Sequence, residues 1–122
     1  MSSDLRSTPF DQQGVSVLHV DDDPSVLDLT SAFLDRELGD VSVATETSPE
    51  EALSRLESGG FDCVVSDYDM PGMDGLELFE AIREDHPLVP FVLYTGKGSE
   101  EIASQAVNAG VTGYFQKGGP DQ

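Results

Sequence analysis

An α/β fold built on a five-stranded parallel sheet is predicted by three features of this 122-residue sequence. Short runs rich in β-branched and aromatic residues alternate with helical stretches five times over, and parallel neighbours need such crossovers. Two of those runs are weaker and more mixed and suit the sheet edges, while the other three suit its centre. Acidic residues then follow the apolar runs directly, as in VLHVDDDPSV (17–26).

The elements follow in order. MSSDLRSTPFDQQ (1–13) is polar, with Leu5 and Phe10 its sizeable apolar side chains besides Met1, and is expected to be a flexible tail. Strands are predicted at VSVLHV (15–20), VSVAT (41–45), DCVVSD (62–67), VPFVLYT (89–95) and VTGYF (111–115). The first helix starts with Asp23 as cap and Pro24 at its first position, and Val26, Leu27, Phe33, Leu34 and Leu38 form its apolar stripe. SPEEAL opens the second: Ser48 as cap, Pro49 next and Glu51 three residues on predict a capping box before Leu53 and Leu56. A third helix spans about 75–85 with Leu76, Leu78, Phe79 and Ile82. The fourth starts near Ser99 and stops at Asn108, Ala109 and Gly110.

With VSVAT and VTGYF at the edges, the flavodoxin-like strand order 2-1-3-4-5 follows, giving a three-layer sandwich. Ligands then bind beyond the carboxyl ends of the first and third strands, where the winding reverses. Asp21 and Asp22 end the first strand, Asp67 the third and Thr95 the fourth, and Lys117 follows the fifth. Unit like charges about 4 Å apart repel by about 1 kcal/mol in water and about 4 kcal/mol at an effective dielectric of about 20. Carboxylates gathered without His or Cys form a hard-oxygen site suited to Mg²⁺, which would relieve that repulsion. A carboxylate beside Mg²⁺ can attack phosphorus while a lysine and a hydroxyl orient the transferred oxygens, so the constellation reads as phosphoryl transfer to Asp67.

Composition narrows the partners. Twenty-four acids against 6 basic residues give a formal net charge of −18. So negative a surface argues against nucleic acid and anionic membranes, and concentrated salt would quench its self-repulsion, which points to a halophilic source. No apolar run approaches the roughly 18 residues of a membrane span and the N-terminus lacks a signal pattern, so a cytoplasmic location is expected. One cysteine, Cys63, excludes an intrachain disulfide and reads as an inert thiol. His19 reads as a packed side chain rather than a phosphate carrier, and His86 as a residue near a helix end. Met70 and Met73 read as packing around a loop whose glycines serve turns.

From about Val15 to Lys117 the sequence resembles the receiver domain of two-component response regulators, the CheY-like superfamily. VDDDP (20–24), DYDMPGMDG (67–75), LYTG (93–96) and GYFQK (113–117) carry the resemblance in this order and spacing. The resemblance implies that Asp67 is the phosphoacceptor. It makes Asp22 a direct ligand of Mg²⁺ or Mn²⁺, Asp21 a ligand through water and the Asp69 backbone carbonyl a third protein ligand. Thr95 and Lys117 would hold phosphoryl oxygens, and Tyr114 would turn in step with Thr95 as the switch. Asp69 and Lys97 would flank the path of the attacking water as a gate. The implied partners are a sensor histidine kinase or phosphotransfer protein and a covalently linked output or kinase module, with catalysis limited to the domain's own phosphorylation and dephosphorylation.

The family usually places a cis-proline after the lysine, where Gly118 stands here, so a trans or mobile loop is expected. A fifth helix also usually follows. Residues 14–122 therefore read as a receiver domain from a longer protein, with apolar surface beside the fifth strand exposed to self-association. DYD after VVS also resembles the nucleophile motif of haloacid dehalogenase-type phosphatases, in which the second Asp acts as acid and base; against this, Asp21 and Asp22 precede the nucleophile and no substrate-capping insertion is visible. A binding module with a silent site is the third reading.

Overall fold

The computed structural model describes residues 14–38, 40–96 and 100–117. The expected tail at 1–13, Lys97, Ser99 and Gly118 lie outside the described residues, as do the side chains of Leu34 and Leu38. Five strands and four helices alternate: β1 (Val15–Val20), α1 (Pro24–Leu38), β2 (Val41–Glu46), α2 (Pro49–Glu57), β3 (Cys63–Ser66), α3 (Gly75–Asp85), β4 (Phe91–Thr95), α4 (Glu100–Ala109) and β5 (Gly113–Gln116). All strand pairs are parallel, in the order β2-β1-β3-β4-β5, so the two mixed runs do form the edges.

Alternation along the strands sorts side chains between the two faces of the sheet. Leu18, Val20, Val64, Phe91 and Leu93 face one layer and form a single core with Ala52 and Leu56 of α2, Leu78, Phe79 and Ile82 of α3, and Ala106 of α4. Burying the valine, leucine, isoleucine and phenylalanine side chains among them stabilises by about 1.5–3 kcal/mol each. Phe79 and Phe91 meet edge-to-face with ring centroids 5.1 Å apart, which adds roughly 0.5–1.5 kcal/mol. Val17 and His19 point to the opposite face, where Leu27 of α1 is buried.

The predicted stripe on α1 is only partly buried. Phe33 is 54% exposed, with Leu29 beside it at 73%. Among the described residues no helix covers the β4 and β5 side of this face, which leaves the flank of α1 turned that way exposed; the Phe33 ring lies 5.9 Å from the Arg36 guanidinium carbon. The capping box predicted at Ser48 forms by half. Ser48 Oγ accepts the Glu51 N–H at 3.1 Å but donates to Glu50 at 3.3 Å. The reciprocal box stands at α3, where Asp74 accepts the Glu77 N–H at 2.8 Å and Glu77 accepts the Asp74 N–H at 2.9 Å. Gly110, with φ +94°, ends α4 by donating to the carbonyls of Ala106 and Val107, the left-handed stop its sequence predicts.

Candidate functional site

Parallel pairing places the site. Just past the strands the ladder continues: Asp21 N–H donates to the Glu46 carbonyl at 3.1 Å, Asp67 N–H to Val20 at 2.9 Å and Lys117 N–H to Thr95 at 2.9 Å. The backbones of three site residues are thereby fixed by neighbouring strand ends rather than left to loops, which suits a site needing sub-ångström order. Asp21, Asp22, Asp67, Asp69, Thr95 and Lys117 all line one cavity of about 350 Å³ at this rim.

Within it, Asp21, Asp22 and Asp67 each offer a carboxylate oxygen within 4.8 Å of the others. Asp21 is 1% exposed, Asp67 8% and Thr95 0%, while Asp22 and Asp69 are exposed. Lys117 Nζ donates to Asp21 Oδ2 at 2.5 Å and lies 3.7 Å from Asp67 Oδ1. Three carboxylates less one ammonium leave two negative charges, which matches a divalent cation. The crowding is visible in Asp22, whose carboxyl is raised above its ordinary range first by desolvation and then by the Asp21 and Asp67 charges. Small, strictly octahedral Mg²⁺ bound through carboxylates with several retained waters fits a donor set of this hardness and openness.

Asp23 does different work. Its Oδ1 accepts from the backbone N–H of Ser25 at 3.0 Å and from Ser25 Oγ at 2.7 Å, which caps α1 and holds its carboxyl below the usual range. Its own N–H donates to Asp21 Oδ1 at 2.9 Å, so the cap also orients a site carboxylate.

Asp67 is held from several sides. Its Oδ1 accepts the Tyr68 N–H at 2.8 Å, and its carbonyl accepts from Ser66 Oγ at 2.8 Å. The start of α3 presses on the same carbonyl: Gly75 donates to Tyr68 O at 2.7 Å, and a Cβ at position 75 would lie 2.3 Å from the Asp67 oxygen. Sequence reasoning read this glycine as a turn residue; its role here is close approach.

Tyr114 is half-buried against the core, and its hydroxyl is buried without a hydrogen-bond partner among the described residues. His19 is 1% exposed, its ring nitrogens likewise unpartnered among those residues, and burial lowers its pKa. Cys63 is half-buried and burial pushes its thiol pKa up, away from thiolate reactivity. Met70 is buried and Met73 packs on the core. Asp69 lines the cavity, but its expected gate partner Lys97 lies outside the described residues. Tyr94 was missed by sequence reasoning: its ring lies 5.7 Å from Lys117 Nζ.

A family model for the response regulator receiver domain matches residues 17–122. The chemotaxis protein CheY of Pseudomonas aeruginosa is 35% identical over 105 residues, 84% of either chain. Among solved structures, chemotaxis protein CheY4 of Vibrio cholerae aligns with TM-score 0.78 and 30% identity over 86% of this chain and 88% of its own. Response regulator TrrA of Thermotoga maritima, solved in complex with Mg²⁺ and BeF, aligns with TM-score 0.76 and 29% identity over 87% and 89%.

Proposed function

The chain belongs to the response regulator receiver domains, phosphoacceptors of two-component signalling, and on that premise we propose that Asp67 is its acceptor, served by Mg²⁺ at the acidic rim. The observation that carries this reading is the convergence of the Asp67 carboxylate with those of Asp21 and Asp22 and with the Lys117 ammonium, from separate strand ends.

An Asp67 carboxylate oxygen attacks the phosphorus of a partner's phosphohistidine. The new O–P bond forms as the P–N bond breaks, and the imidazole leaves with the electron pair and takes a proton from solvent. Asp22 and Asp67 would hold the cation directly, Asp21 through water and Asp69 through its carbonyl; Mn²⁺ has the same hard-oxygen preference. Once bound, the cation neutralises charge on the transferred oxygens. Lys117 supplies the remaining positive charge at the Asp67 side, and Thr95, buried at the end of β4, offers its hydroxyl. Tyr114 pairs in register with Leu93, two residues before Thr95, and its hydroxyl, unpartnered among the described residues, suits a ring that can turn when Thr95 moves.

The partner is a sensor histidine kinase or phosphotransfer protein, and a covalently linked output or kinase module would read the switched surface. No helix among the described residues is long and apolar enough to cross a membrane, in keeping with a cytoplasmic place for this pathway. Exposed Leu29, Phe33 and Phe115 favour self-association through the α1 face.

Intact-mass measurement after incubation with acetyl phosphate tests the reading. One phosphoryl group should add covalently with Mg²⁺ and none in a chelator. Steady turnover of the phosphodonor without an adduct would instead identify a phosphatase. Absence of both uptake and Mg²⁺ binding would identify a silent binding module.

A further inference from the structure

Lys117 sits at the end of a flexible four-carbon stem, and glycine, the residue with most backbone freedom, follows it in the sequence. Its root is fixed by the bond from its N–H to the Thr95 carbonyl, and its tip by Asp21 and Asp67. Those two tip contacts are the ones the reaction alters. A divalent cation competes with the ammonium for the same carboxylates, and phosphorylation converts the Asp67 carboxylate to an acyl phosphate. Tyr94 is different. Leu93 and Thr95 point into the core, so Tyr94 between them projects to the α1 face, where its ring lines a hollow with Leu29, Thr30 and Phe33. From there it offers the ammonium a π-face 5.7 Å away, inside the range of about 6 Å for such attraction. A neutral ring keeps that attraction through every charge state of the site.

We propose that Tyr94 is a positioning residue for Lys117, holding its ammonium at the rim when metal and phosphoryl group have claimed the carboxylates. This rests on Asp67 being the acceptor. The test compares Tyr94→Leu, Tyr94→Phe, Lys117→Ala and the Tyr94→Leu/Lys117→Ala pair for rate of uptake from acetyl phosphate at saturating Mg²⁺. Removing the ring should slow uptake by about three- to tenfold, while phenylalanine, which keeps a π-face, should stay within about twofold of the parent. In the Lys117→Ala background Tyr94→Leu should add no further loss, because the two act through one contact. The Lys117 methylene protons beside the ammonium should carry an upfield ring-current shift in parent and Tyr94→Phe that is absent in Tyr94→Leu. Tyr94→Leu matching the parent rate, or slowing the Lys117→Ala protein as much as the parent, overturns the role of Tyr94 alone. No uptake by the parent refutes the acceptor reading, and the positioning role with it.

Discussion

Gly75→Ala sets two backbone effects against each other. Gly75 is the first residue of α3 and its φ is not positive, so alanine suits its conformation and should stabilise the helix by about 0.5–1 kcal/mol on propensity alone. Packing opposes this. The new methyl would lie 2.3 Å from the Asp67 carbonyl oxygen against 3.4 Å for ordinary contact, a shortfall of 1.1 Å, and 2.7 Å from Leu93 Cδ1. Leu93 is fully buried and the carbonyl is backbone, already bonded by Ser66, so neither neighbour yields easily. Overpacking of this kind costs about 1–3 kcal/mol, so the steric effect wins and a net loss of about 0.5–2 kcal/mol is expected. For a chain of this size that lowers the melting temperature by about 2–8 °C. The strain falls on the proposed acceptor, and a displacement near 1 Å can cost about 100-fold in rate, so phosphoryl uptake should slow by at least about tenfold. Thermal melting and uptake kinetics on the same preparations give both numbers. A variant that melts at or above the parental temperature and takes up phosphate at the parental rate would refute the close-approach reasoning.

Three further outcomes are expected. If the −18 charge is a salt adaptation, thermal stability should climb steeply from dilute buffer to molar salt as the screening length falls from about 10 Å at 0.1 M to about 3 Å at 1 M; a melting temperature indifferent to salt would refute it. His19 is buried with its pKa lowered, so below about pH 6.5 the unfolded chain binds the extra proton first and stability is lost as pH falls; His19→Leu should lose less in urea unfolding between pH 7 and pH 5, and an identical loss would show the histidine is not involved. Lys97→Ala should shorten the phosphoryl lifetime at low salt by less than about tenfold if Asp69 and Lys97 gate the attacking water, since an exposed pair is worth about 0.2–1 kcal/mol; a variant no faster than its parent rejects the gate.

Much of this molecule is legible in its sequence because local chemistry and tertiary packing agree. The third helix begins and ends at 75 and 85 as expected, since Asp74 and Glu77 close a box at one end and His86 stands as cap at the other. β4 is shorter at its start than VPFVLYT suggests, because Pro90 has no N–H for a ladder and Arg83 draws the carbonyls of Pro87 and Val89 into the preceding loop at 2.8 and 2.9 Å. The acidic rim is legible because the order of a parallel sheet sends certain strand ends to one edge whatever the loops do. Phe33 is not, because helical spacing shows which residues share a face but not whether a neighbour covers it. Gly75 and Tyr94 escape for a related reason: one matters through an empty volume and the other through a ring across the sheet, and neither leaves a pattern along the chain.

Asp67 as acceptor is most directly tested by locating the phosphoryl group itself. Incubation with acetyl phosphate and Mg²⁺, reduction of the acyl phosphate with borohydride and peptide mapping should convert residue 67, and no other acid, to homoserine. Asp67→Asn should fold as the parent does and show neither the adduct nor the conversion. Modification mapped to Asp21, Asp22 or Asp69 in the parent, or uptake at the parental rate in Asp67→Asn, would contradict the account.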